Sequence, residues 1–152
     1  MTNNISKKKL SEVVSISPQY QRSIRVDLDM GQLDALNSYF CHNTASSVIK
    51  NICHQILSSN QRSFTLTGPF GGGKSSLAVV LGSALHSNII VRNQARHILN
   101  TENTEGFDQA FPVKNGWCIL PLVGKRGSVV LDLYATLNKY LGRKKKQTNI
   151  SF

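Results

Sequence analysis

The stretch Gly68-Pro69-Phe70-Gly71-Gly72-Gly73-Lys74-Ser75 follows a fixed pattern: a glycine, four residues, then glycine, lysine and a hydroxyl residue. Each position suits a polyanion. Glycines let the chain take positive φ and bring backbone N–H groups close to a phosphate. An ammonium at Lys74 would neutralise charge on β- and γ-phosphates, and the Ser75 hydroxyl would enter the shell of a Mg²⁺ ion that keeps several of its waters. The flanks agree with the pattern. Phe64-Thr65-Leu66-Thr67 alternates apolar and polar residues, as a strand feeding the loop would. Ser76 to Leu85 is almost wholly apolar and small, as a buried helix would be, with its N-terminal dipole turned to the phosphates. A plain glycine-rich turn would need none of this context.

Outward from the loop, Ala45, Val48, Ile49, Ile52, Cys53, Ile56 and Leu57 recur at spacings of three and one. This is one stripe of an amphipathic helix, with Asn43 or Thr44 as its N-cap. Earlier still, Ser23 to Leu28 alternates and predicts a strand with Ile24, Val26 and Leu28 inward. Gln32 to Phe40 predicts a short helix using Leu33, Leu36 and Phe40. Cys41-His42 and Cys53-His54 look like ligand pairs for zinc. Cys53 belongs to the apolar stripe, however, and neither pair has the usual two-residue gap, so a core role fits better.

Downstream, residues 88–100 combine Ile89-Ile90-Val91 with a helical pattern through Ala95, Ile98 and Leu99, and a helix is expected. Residues 101–106 read as loop and 107–111 as a helical turn stopped by Pro112. After a turn at Asn115-Gly116, Trp117 to Val123 is a continuous apolar run, as in a buried parallel strand, with Pro121 near its end. The run Val129-Val130-Leu131-Asp132 has two readings. It resembles a strand ending in a magnesium-orienting acid. It also opens a helical stripe of Val130, Leu133, Tyr134, Leu137, Tyr140 and Leu141, capped by Ser128 and stopped by Gly142. The helix accounts for more residues and makes Asp132 a surface group.

The 152 residues suit one domain with a real core, and 40% are hydrophobic. The expected division is a flexible lead-in over 1–20, a nucleotide-binding body over 21–142 and a basic tail over 143–152. The net charge of +10 suggests nucleic acid, but its placement weakens that suggestion. Lys7, Lys8, Lys9, Arg143, Lys144, Lys145 and Lys146 lie near the ends, which leaves the body only about +3 against its acids. Weak, non-specific nucleic-acid contact through these ends is the corresponding expectation. No secretory signal is legible, and no run reaches the roughly 18 apolar residues of a membrane span. Three cysteines without disulfide-like spacing suit a reducing, cytoplasmic compartment.

Thr67 to Leu81 resembles the Walker A segment of P-loop NTPases, and most of all that of large bacterial AAA+ and STAND-type ATPases, including those of phage-defence systems. The upstream order of elements is also similar. The resemblance implies an α/β fold: a parallel sheet flanked by helices, here an incomplete, front part of it. It implies ATP and Mg²⁺ as ligands. Gly68, Pro69, Phe70, Gly71, Gly72, Gly73, Lys74, Ser75 and Ser76 would bind the triphosphate, with Ser75 on the metal and Lys74 as the catalytic cation. Adenine would lie against some part of Tyr39 to Ser46. A helical Asp132 would leave no second acid, and neither an Asp-Glu pair nor an arginine finger is identifiable. A missing finger alone removes about 10³ to 10⁵ in rate, so binding should exceed cleavage. The expected partners are a nucleotide and a protein subunit, its own or another, with no membrane. The alternatives are a non-catalytic nucleotide-dependent interaction module and a basic-tailed nucleic-acid binder.

Overall fold

The computed structural model describes residues 9, 13–14 and 23–148; side chains beyond Gly142 are not part of that description. The lead-in over 1–20 and the last residues of the basic tail therefore lie almost wholly outside it.

Helices carry the described chain: α1 (Val26–Asp29), α2 (Leu33–Asn37), α3 (Asn43–Ser59), α4 (Lys74–Ser83), α5 (Ile89–Leu99), α6 (Phe107–Ala110) and α7 (Val129–Thr148), with a 3₁₀ turn at Thr101–Asn103. No strand occurs among the described residues, which corrects the expected parallel sheet. The correction has a different cause at each of the three predicted strands. At residues 23–28 the chain winds into α1 instead. The Arg25 N–H donates to the buried Asp29 carboxylate at 2.7 Å, and the Asp29 N–H donates back to the Arg25 carbonyl at 2.8 Å. A reciprocal pair of this kind closes a turn that alternation alone cannot hold extended. Residues 64–67 and 117–123 form neither helix nor strand. Phe64 and Leu66 pack against the core while Thr65 and Thr67 are exposed, as the alternation requires. Neither run pairs with a second strand among the described residues, and a ladder needs two.

The core is built by the stripes that the sequence marks. Ile49, Ile52, Cys53 and Ile56 of α3 are buried, and Asn60 in the left-handed region stops the helix. They join Leu77 and Val80 of α4, Val91, Ala95 and Leu99 of α5, and Phe107, Ala110 and Phe111 at α6 in one cluster. Helix α4 packs on α1 and α5, α5 also packs on α2, and α3 packs on α6. Asn88 caps α5 by accepting the Ile90 and Val91 N–H groups at 2.9 and 3.4 Å. In α2 only Leu36 is fully buried. Phe40, expected inward, lies exposed edge-on to His42, and Tyr39 packs against the core in its place.

Gly116 (φ +84°) lets the 117–123 run dock. A Cβ there would sit 2.2 Å from the Ser87 Cα, so only glycine allows the approach. Trp117 then donates its backbone N–H to the Leu85 carbonyl at 2.8 Å and its indole N–H to the Pro112 carbonyl at 3.0 Å.

The helical reading of 129–141 holds, and the Ser128 hydroxyl accepts the Leu131 N–H at 3.5 Å. Two details differ from expectation. The helix passes through Gly142 to Thr148, because one glycine costs only about 1 kcal/mol and the residues after it are good helix formers. Its apolar stripe, Tyr140 apart, also faces outward. Asp132, Thr136 and Tyr140, one turn apart, are the half-buried residues, while Val130, Tyr134 and Leu141 are exposed. No helix of the described residues is long and apolar enough to cross a membrane.

Candidate functional site

Loop 68–75 runs over the surface from the 64–67 segment into the first turn of α4. The Gly72 N–H donates to the Pro69 carbonyl at 3.2 Å and closes a tight turn. Gly71 and Gly73 take φ of +77° and +73°, left-handed values that an L side chain disfavours by roughly 1–2 kcal/mol. A Cβ built at either meets nothing within 4 Å. These glycines are therefore required by backbone conformation, and the space beside them is open. Gly73 is the N-cap of α4, and the first intrahelical bond runs from the Leu77 N–H to the Gly73 carbonyl at 2.9 Å. The amides of Lys74, Ser75 and Ser76 thus carry the positive end of the helix dipole with no partner in the preceding turn.

Lys74 folds back over the loop. Its ammonium donates to the Gly68 carbonyl at 3.0 Å and the Pro69 carbonyl at 2.6 Å. An ammonium has three donors, so one is left over. The structure brings most of the predicted site residues together in one bend. Pro69 contributes its carbonyl twice. Ser75 is exposed, Ser76 is half-buried, and Phe70 projects fully into solvent. Sequence reasoning assigned roles to side chains and amides here and missed the two carbonyls that hold the lysine. A carbonyl acceptor leaves no mark on residue identity.

The other predicted contributors stand apart from this bend. Asp132 lies on α7 and pairs with Lys125 at 2.7 Å. The cavity it lines includes no loop residue. Within Tyr39 to Ser46, the exposed Phe40 and His42 rings meet edge to face at 5.1 Å, and the Cys41 and Ser46 side chains are 3.4 Å apart. No hydrogen bond or ring contact joins that segment to the loop among the described residues. Burial, with the Cys41 thiol as a lesser cause, pushes the Tyr39 hydroxyl up to about 12. Cys53 sits in the core, where burial raises its thiol, while His54 faces solvent.

The loop's chemistry fits a phosphate and a magnesium ion in a limited way. The donors that converge on it are backbone amides, one ammonium and one hydroxyl, all suited to anionic oxygen. Among the described residues no group of three or more His, Cys, Asp or Glu gathers. A Mg²⁺ ion would therefore depend on the Ser75 hydroxyl, the ligand's own phosphates and water. Comparison of the chain with protein-family models, curated proteins and solved structures finds no match.

Proposed function

We propose that this chain binds a Mg²⁺–nucleoside triphosphate, ATP in the first instance, on the loop Gly68 to Ser76, and that alone it hydrolyses the nucleotide little or not at all. The observation that supports this most is the bend itself. Left-handed Gly71 lies within the closed Pro69–Gly72 turn and left-handed Gly73 follows it, and the same bend delivers Lys74 and the free first-turn amides of α4 to one mouth. In this reading the amides of Gly71 and of Gly73 to Ser76 bind phosphate oxygens, the Lys74 ammonium moves from carbonyls to the β- and γ-phosphates, and the Ser75 hydroxyl holds the metal. Bound magnesium would supply charge neutralisation across the β- and γ-oxygens.

The weak-hydrolysis part rests on Asp132. Its carboxylate, on α7, is held by Lys125 in a cavity that no loop residue lines, and cannot orient a metal at the loop without leaving that pair. The chain is thus read as a nucleotide-dependent interaction module, or as the binding part of an ATPase completed by another subunit.

Equilibrium binding of fluorescent ATP with Mg²⁺ tests the proposal. Lys74→Ala should weaken binding about tenfold or more, the worth of one charge-assisted contact at 1.5–3 kcal/mol. Equal affinity in the variant would remove the lysine, and with it the proposed site. Steady turnover above about 1 per second, the low end of ordinary enzyme rates, would show that an acid does reach the phosphates.

A further inference from the structure

Helix α7 turns its apolar side away from the body. Val129, Val130, Leu133, Tyr134, Leu137 and Leu141 are all exposed, and the two valines keep 72% and 74% of their surface. At about 100° per residue these six fall within an arc of roughly 140°. No charge interrupts the arc between Val129 and Gly142. The two charged residues of that stretch, Asp132 and Lys139, line the cavity on the other side, and Asp132 is held there by Lys125 at 2.7 Å. Soluble single chains rarely leave so continuous an apolar face in water, and such a face marks a docking surface.

Charge decides what docks. Arg126, exposed, stands just before the helix. After Gly142 the helix backbone continues through Arg143, Lys144, Lys145 and Lys146 to Thr148. From Leu133 to Phe152 the sequence contains no acid. A second copy of this chain fits poorly in either direction. A parallel pair of α7 helices sets residues 143–146 beside their own equivalents. An antiparallel pair brings them to the end that carries Arg126, and each chain has a net charge of +10. A surface with an apolar layer under a sheet of negative charge satisfies both the arc and its basic ends. That is an anionic lipid bilayer, and a basic amphipathic helix of this kind is built to lie in its plane.

We propose that α7 docks in the headgroup region of an anionic bilayer, its apolar arc sunk into the acyl boundary and the cations of residues 126 and 143–146 drawn to the lipid phosphates. Tyr134 suits that depth, with an apolar ring and a polar tip. The expected absence of a membrane partner rested on the length a span requires, and a helix lying in the plane spans nothing. The site is separate from the loop at 68–76 and does not depend on nucleotide.

The test is co-sedimentation of the full chain with vesicles of phosphatidylcholine alone, and of three parts phosphatidylcholine to one part phosphatidylglycerol. The anionic vesicles should bind at least about tenfold more tightly, and high salt should narrow the difference. Val130→Ser combined with Leu141→Ser leaves the charge unchanged and alters only exposed positions, so folding should be intact; binding should fall about tenfold or more. Lys144→Gln combined with Lys145→Gln should lower it roughly thirtyfold, about fivefold for each charge near the surface. Tyr134→Trp should gain quenching by brominated lipid beyond that of the parent chain. Equal binding to both vesicles would overturn the anionic surface. Unchanged binding by the serine pair, or no added quenching at residue 134, would overturn the face and leave only adsorption of the basic end. A dimer in light scattering that the serine pair dissolves would give the face to a second copy, and no binding up to millimolar lipid would overturn the site.

Discussion

Gly73→Ala isolates the conformation on which the loop reading depends. At φ +73° an added methyl meets no atom within 4 Å, so steric crowding contributes nothing and the left-handed backbone is the entire cost. That cost is roughly 1–2 kcal/mol. Restricting the unfolded chain returns about 0.4–1 kcal/mol. A net loss near 1 kcal/mol is expected, and where it appears depends on what the free loop does. If the loop stays in place, urea unfolding shows the whole loss and the ATP affinity is unchanged. If it relaxes, unfolding shows less and the nucleotide must restore the strained form, which weakens Kd by up to about fivefold. The two losses should sum to about 1 kcal/mol in either case. Gly73→Asn should lose well under half as much, because asparagine tolerates the left-handed region. Should Ala change neither measurement, or Asn cost as much as Ala, residue 73 is not left-handed and the amides of α4 do not face a common ligand.

Other outcomes follow from the core and from ionisation. Phe107→Ala removes a ring buried against Phe111 at 5.2 Å and beneath Arg96 at 5.3 Å; it should cost about 3–5 kcal/mol in thermal or urea unfolding, and a loss under 1 would contradict the packing of α6. The His86 ring accepts the Asn88 N–H at 3.0 Å, and burial, then Arg92, lowers its basicity. The folded state therefore binds fewer protons than the unfolded chain. This contribution to stability is complete above about pH 6.5 and is lost as pH falls through the lower folded value. Urea midpoints at pH 7.5 and 5 should show the drop, and His86→Gln should remove the part specific to this ring. Cys118 is exposed whereas Cys53 is buried with its thiol pushed up, so a thiol reagent at pH 8 should modify Cys118 first, and faster labelling of Cys53 would contradict the core.

What the sequence disclosed depended on how local the cause was. The stripe in α3, the helical pattern of α5, and the helical choice at 129–141 all arise within a few turns, and each was readable from the spacing of its residues. The glycine bend at 68–73 was readable because left-handed Gly71 and Gly73 are demanded by backbone angles. The sheet was misread because alternation reports which residues face inward, not whether a second strand lies alongside. Phe64 and Leu66 do face inward, and no strand lies beside them among the described residues. The strand at 23–28 failed for a different reason: one carboxylate, Asp29, reaches the Arg25 amide and outweighs three alternating aliphatics. The direction of the α7 stripe was not readable at all. Periodicity identifies two faces but does not say which one the rest of the chain adopts, and here the polar one turns in.

Because the Lys74 ammonium already rests on two carbonyls, nucleotide capture at this bend would be an exchange and not a simple addition. Each contact the cation makes to a phosphate is set against one it gives up, so the heat released should be small for a charged ligand. Pro69 also accepts the amide that closes the turn. Withdrawing the lysine from that oxygen leaves the turn bond intact, and the cation can swing without the bend reopening.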